Sequence, residues 1–189
     1  MLIVVPDLTD EQFEAFCQRN QDVRVERTSQ GDLIIMPPTG GTTGNRSAAL
    51  ITLLTAWAWQ DGSGETFDSS TGFDLPNGAT RSPDAAWVSK GRLATLSPAE
   101  RGRFLPLCPE FVAELRSPSD DLAELQDKMQ EYIESGAQLA WLIDPSYQRV
   151  YVYRPDAPVE VLAEPRQVSG DPVLPGFALD LARLWRSLD

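Results

Sequence analysis

Phe111-Val112-Ala113-Glu114-Leu115 and Leu139-Ala140-Trp141-Leu142-Ile143, with residues 121–136 between them, decide the fold. The two apolar runs have strand length. The segment between them places Leu122, Leu125, Met129 and Ile133 at helical spacing, is capped by Ser117-Pro118-Ser119-Asp120 and is closed by Gly136. Strand, helix and strand in immediate succession predict a right-handed crossover joining two parallel strands. The uniformly apolar second run suits a central strand covered on both faces.

Outward from this unit, residues 84–88, with Asp84 after Pro83 heading the apolar Ala85-Ala86-Trp87-Val88, read as another strand, with a strand over 66–75 and a turn at Pro76-Asn77-Gly78-Ala79 before it. Residues 90–109 form an excursion with its own helix start at Ser97-Pro98-Ala99-Glu100. Nearer the N-terminus, Thr9, Asp10 and Glu11 followed by Phe13, Phe16 and Cys17 predict a capped amphipathic helix. Runs 23–26 and 33–36 predict a hairpin. A glycine-rich loop over 40–44 leads into a helix over 45–59, and lacks the ending of a phosphate-binding loop. Downstream, 149–153 and 159–163 read as added antiparallel strands, and 179–188 as a terminal helix. The expectation is an α/β fold in a single domain over 1–189. Its central mixed β-sheet is flanked by helices, with an N-terminal helix and β-hairpin and added C-terminal antiparallel strands.

The chain has 189 residues, 42% hydrophobic and 23% charged, the composition of an ordinary globular protein. No apolar run approaches the roughly 20 residues that span a bilayer, and Met1 to Pro6 lacks a basic signal-type start, so a cytoplasmic chain without membrane association is expected. Cys17 and Cys108 sit far apart among apolar neighbours and read as reduced core thiols. Histidine is absent, which excludes His-based triads, His general bases and the usual His-bearing zinc sites. Catalysis must then rest on Asp, Glu, Lys, Arg or a metal. A net charge of −12 opposes attraction to nucleic acid over the whole surface. Lys90, Arg92, Arg101 and Arg103 sketch a local basic lip, and Arg46, Arg81 and Arg116 lie near the candidate site in sequence.

Asp84 and Glu114 carry the chemistry. A carboxylate in an apolar strand is costly to desolvate unless a cation or hydrogen-bond donors compensate it, and a shared divalent cation does so for two. Mg²⁺ takes oxygen ligands and, with substrate phosphate and water, supports phosphodiester hydrolysis; Mn²⁺ can stand in for it. Other readings stay open. Asp84 also fits a strand-start cap, and Glu114 a buried pair with Arg116 or Lys128. Lys128 also fits a helix-surface charge paired to Glu124 or Glu131, and Glu26 a hairpin surface charge.

The order helix, strand, Ser82-Pro83-Asp84 strand, Glu114-Leu115-Arg116-Ser117-Pro118-Ser119 strand, the helix containing Lys128, and Trp141-Leu142-Ile143-Asp144-Pro145 resembles the PD-(D/E)XK nuclease superfamily over nearly the whole chain. Within it, the chain resembles the bacterial branch of uncharacterised restriction endonuclease-like proteins. The resemblance implies a restriction endonuclease-like fold with Asp84 and Glu114 as metal ligands, joined by the Leu115 carbonyl, and Glu26 as a further acid. It also implies a lysine migrated from the strand to the following helix, matching Lys128. Where the superfamily has its strand lysine this chain has Arg116, a permanent cation that can stabilise charge but cannot accept a proton. The expected function is Mg²⁺-dependent hydrolysis of DNA phosphodiester bonds. The alternative is a nuclease-fold module for binding or assembly with weak or no catalysis. Oligomeric state is open, a homodimer being among the options.

Overall fold

The computed structural model describes residues 2–3, 8–20, 22–186 and 188. In chain order the elements are β1 (Leu2–Ile3), α1 (Asp10–Arg19), β2 (Arg24–Arg27), β3 (Leu33–Met36), α2 (Gly41–Asp61), β4 (Gly64–Asp68), β5 (Phe73–Asp74), β6 (Thr80–Arg81) and β7 (Ala85–Ser89). There follow α3 (Lys90–Ala94), α4 (Pro98–Arg101), β8 (Phe111–Leu115), α5 (Leu122–Glu134), β9 (Leu139–Asp144), β10 (Arg149–Tyr153), β11 (Glu160–Ala163), β12 (Gln167–Ser169), β13 (Ala178–Asp180) and α6 (Ala182–Trp185).

The central sheet runs β11-β10-β9-β8-β7-β4. Only its β8–β9 pair is parallel, joined through α5, so the expected crossover is present and the sheet is mixed. Its inner strands β7, β8 and β9 are largely apolar on both faces because both are covered. Trp87, Phe111, Ala113, Trp141 and Ile143 pack with Leu50, Leu54 and Ala58 of α2, while Ala86, Val88, Val112, Ala140 and Leu142 pack with Met129 and Tyr132 of α5. Strand parity thus assigns Glu114, two residues from Val112, to the α5 side. A second sheet, β1-β3-β2-β6-β5, contains the predicted hairpin and packs Val25 and Leu33 against Phe13 of α1.

Local chemistry explains the element ends. Thr9 and Gln12 form a reciprocal capping box on α1, and Ser97 with Glu100 does the same on α4. Asp121 accepts from the Ala123 and Glu124 amides at the start of α5. Gly62, at φ 73°, ends α2 in the left-handed region that favours glycine. Gly64 starts β4 with no room for a side chain, because an added Cβ would lie 2.3 Å from the Trp87 ring.

Several boundaries differ from the sequence reading. The glycines over 41–44 form the first turn of α2, with the Gly44 amide donating to the Gly40 carbonyl. The strand expected over 66–75 is divided between sheets by a turn in which Asp68 accepts from the Ser70 amide. Asp84 lies one residue ahead of β7. Asp120 closes the turn onto the Ser117 amide, leaving Asp121 as the cap of α5. The expected terminal helix is replaced by β13 and the short α6, because Leu179 is buried in the pairing with β12 and Asp180 accepts from the Ala182 amide. The opening stretch beyond Leu2 and Ile3, and residue 187 of the expected terminal helix, lie outside the described residues. Both cysteines are free thiols, and burial pushes Cys108 up to about 12. Among the described residues no helix is long and apolar enough to cross a membrane.

Candidate functional site

The site forms where β2, the β6–β7 connection, the end of β8 and the middle of α5 meet. Ala85 pairs with Ala113 across the antiparallel β7–β8 ladder, so the next position outward sets Asp84 beside Glu114. The Leu115 amide donates to Asp84 Oδ2 at 2.8 Å, fixing that carboxylate at the strand end. The group Leu115 presents to Asp84 is thus its amide.

Lys128 comes from the flank of α5, with Met129 and Tyr132 holding the helix on the core. Its Nζ lies 2.8 Å from Glu114 Oε1 and 2.8 Å from Glu26 Oε1. Neither Glu124 nor Glu131 takes it; Glu131 instead accepts from Arg81 Nε at 2.6 Å and from Asn77 at 2.9 Å. Tyr132 donates its hydroxyl to Glu114 Oε1 at 3.1 Å. Glu26 is 2% exposed, so it is no surface charge of the hairpin. Beyond Lys128 it accepts from the Ser82 amide on Oε1 and from Arg81 Nη1 on Oε2. The result is a buried chain of alternating charge, Glu131, Arg81, Glu26, Lys128 and Glu114, ended by the Tyr132 hydroxyl.

Burial raises the Glu114 carboxyl to about 7; Lys128 opposes the rise, while Asp84 and Glu26 add to it. Asp84 is raised by burial as well, against the Leu115 amide and Arg24. Burial also acts on Glu26, but Lys128 and Arg81 outweigh it and hold that carboxyl below its usual range. For Lys128, burial is outweighed by Glu114 and Glu26, so the amine stays cationic at neutral pH. The Tyr132 hydroxyl is pushed well up by burial and by Glu114, so it stays a donor.

Asp84 and Glu114 suit a hard divalent cation. One oxygen of each, Asp84 Oδ1 and Glu114 Oε2, receives no hydrogen bond from the described residues, and two carboxylates plus waters are an ordinary Mg²⁺ donor set. Among the described residues no three Asp, Glu or Cys side chains are arranged to hold a metal, so this is a two-carboxylate arrangement. Glu26, expected as a third ligand, already has both oxygens engaged.

Arg116 was the other expected cation, and the structure takes it elsewhere. Its Nη1 donates to Asp144 Oδ2 at 2.7 Å, and its Nε and Nη2 to the Asp120 carbonyl. Leu115 pairs with Ile143 in the parallel β8–β9 register, so Arg116 meets Asp144, which has no solvent exposure, one step further on. Asp144 also accepts from the Ser146 and Tyr147 amides in the turn after β9. The basic lip is partly spent too, Arg92 bonding the Cys108 carbonyl and Arg103 pairing with Glu14. Arg46 donates to the Arg186 carbonyl.

Arg24 and Tyr132 were not selected from the sequence, and Arg81 was noted there only as lying near the site. Alternation along β2 puts Arg24 and Glu26 on one face, and Arg81 immediately precedes Ser82-Pro83-Asp84; both were available signals. Tyr132 lies four residues beyond Lys128 on the same face of α5.

A family model described as "Uma2: Putative restriction endonuclease" matches residues 10–182. A crystal structure described as that of "a putative nuclease belonging to DUF820" from Anabaena variabilis ATCC 29413 aligns with a TM-score of 0.73 at 21% identity, covering 85% of this chain and 89% of that one. At that identity the likeness speaks for the fold. No curated protein matches significantly.

Proposed function

Because this chain belongs to the Uma2 family of restriction endonuclease-like proteins, we propose that it is a Mg²⁺-dependent endonuclease that hydrolyses DNA phosphodiester bonds at the Asp84–Glu114 end of the sheet. The observation that carries this reading is the convergence of the two carboxylates, on one sheet face, with the Lys128 ammonium.

Asp84 and Glu114 would hold the cation, which when bound activates water and neutralises phosphate charge. The Leu115 amide orients Asp84, and the Tyr132 hydroxyl orients Glu114. Lys128 is a fixed positive charge rather than a proton acceptor, since its carboxylate neighbours keep it protonated. Its role is to stabilise negative charge developing on the phosphoryl oxygens, which a preorganised buried cation does far better than a solvated one. Glu26, saturated by the Ser82 amide, Arg81 and Lys128, positions that ammonium rather than binding the metal.

Calorimetric titration with Mn²⁺ and a supercoiled-plasmid cleavage assay with Mg²⁺ test the reading. Saturable Mn²⁺ binding that disappears in Asp84→Asn, together with Mg²⁺-dependent cleavage by the wild type, is expected. Wild-type protein that takes up neither ion would instead be a nuclease-fold binding or assembly module.

A further inference from the structure

Arg24 stands on the same face of β2 as Glu26, two residues closer to the rim. Glu26 is sealed inside the cluster, whereas the Arg24 side chain is 37% exposed. A guanidinium carries five N–H donors in a planar fork. Here Nη2 donates to the Ser82 carbonyl at 2.8 Å, Nε is buried without a partner, and Nη1 stands 3.9 Å from Asp84 Oδ1, beyond hydrogen-bond distance, which leaves the Nη end of the fork for a ligand. A half-exposed ion pair at that separation contributes little to stability. The other cations around the site are committed: Lys128 to Glu26 and Glu114, Arg81 to Glu26 and Glu131, Arg27 to Asp10, and Arg116 to Asp144.

The charge balance asks for a cation at this rim. Glu26, Asp84, Glu114 and Glu131 face Arg24, Arg81 and Lys128, and the whole chain carries −12. A nucleic-acid backbone approaching such a surface needs a cation at the point of contact. Arginine supplies it in the bidentate form that matches two oxygens of one phosphate.

We propose that Arg24 is a substrate-binding residue of this site: its guanidinium, anchored through the Ser82 carbonyl, hydrogen-bonds the non-bridging oxygens of the backbone phosphate entering beside Asp84. The assignment rests on the nuclease reading above. It makes β2 part of the substrate-contacting surface, although the recognisable motif residues lie just ahead of β7 and on β8 and α5.

The test is fluorescence anisotropy of a labelled DNA duplex across a series of KCl concentrations, with Ca²⁺ replacing Mg²⁺, on wild type, Arg24→Met and Arg24→Lys. Mn²⁺ calorimetry is run on the same proteins. Arg24→Met is expected to weaken duplex binding by about 10- to 100-fold, the effect of losing a charge-assisted contact. It should also flatten the log K against log salt slope by about 0.9, the value for one phosphate contact. Arg24→Lys should keep the slope and lose part of the affinity. Mn²⁺ affinity should survive in both, which a merely structural disruption of the Ser82–Asp84 segment would not allow. An unchanged slope in Arg24→Met, or loss of Mn²⁺ binding with it, overturns the assignment while leaving the nuclease reading in place. Failure of the wild type to bind the duplex overturns both.

Discussion

Replacing Glu114 with Gln should make the metal-free protein more stable at alkaline pH while abolishing divalent-cation binding. A glutamate whose carboxyl rises from 4.5 to about 7 on folding contributes stability that is fully present below 4.5 and is lost as pH climbs through 7. Above that range the ionised form costs the fold about 3 kcal/mol, because 1.4 kcal/mol corresponds to each tenfold change in the proton equilibrium. Gln fills the same space, still accepts from Tyr132 and Lys128, and carries no charge to desolvate. At about pH 8.5 Glu114→Gln should therefore be about 3 kcal/mol more stable than wild type, raising Tm by roughly 6–12 °C for a chain of this size. At about pH 5 the advantage should shrink below about 1 kcal/mol, since most of the wild-type Glu114 is then neutral in the fold. Glu26 works in the opposite direction, its lowered carboxyl giving stability above its ordinary range that is lost on acidification, and with Lys128 no longer shared it keeps that sign in Glu114→Gln. Thermal and urea melts in chelator at the two pH values measure the gap. If Glu114→Gln melts at or below wild type at high pH, the Lys128–Glu114 pair is net stabilising, and the burial penalty invoked here is wrong.

Lys128→Met should leave Glu26 and Glu114 without their shared cation and destabilise the protein by about 3–5 kcal/mol. Provided cleavage is assayed well below the melting temperature, the chemical step should fall by about 10²-fold, with Mn²⁺ affinity retained in calorimetry; wild-type turnover would remove Lys128 from the site. Arg116→Met should cost about 1–3 kcal/mol by stranding buried Asp144, yet leave Mn²⁺ binding and single-turnover cleavage near wild type. A complete loss of cleavage in a folded Arg116→Met protein would restore the strand arginine as the functional cation. Gly64→Ala should destabilise by about 1–3 kcal/mol and alter the near-UV signal of Trp87, since the added methyl must displace that ring. Unchanged melts would mean that the β4–β7 edge relaxes freely.

The crossover, the hairpin and the pairing of one acid on each of two neighbouring strand ends were legible from the chain alone, because they follow from local signals. Apolar periodicity distinguishes α5 from β8 and β9, and turn residues separate β2 from β3. Lys128 was one of only two lysines and lay on a helix flank, which made it a candidate without saying what it touches. What Glu26, Arg81 and Arg116 do was decided by tertiary structure. Glu26 and Lys128 are 102 positions apart, Arg81 and Glu26 are 55 apart, and Arg116 and Asp144 are 28 apart. A period of two or 3.6 residues tells which way a side chain points within its own element, but carries no information on the element packed opposite. The same carboxylate is a solvated surface charge, a metal ligand or the anchor of a lysine according to which donors and how much water surround it. Those surroundings exist only once β2, the β6–β7 connection, β8 and α5 have come together.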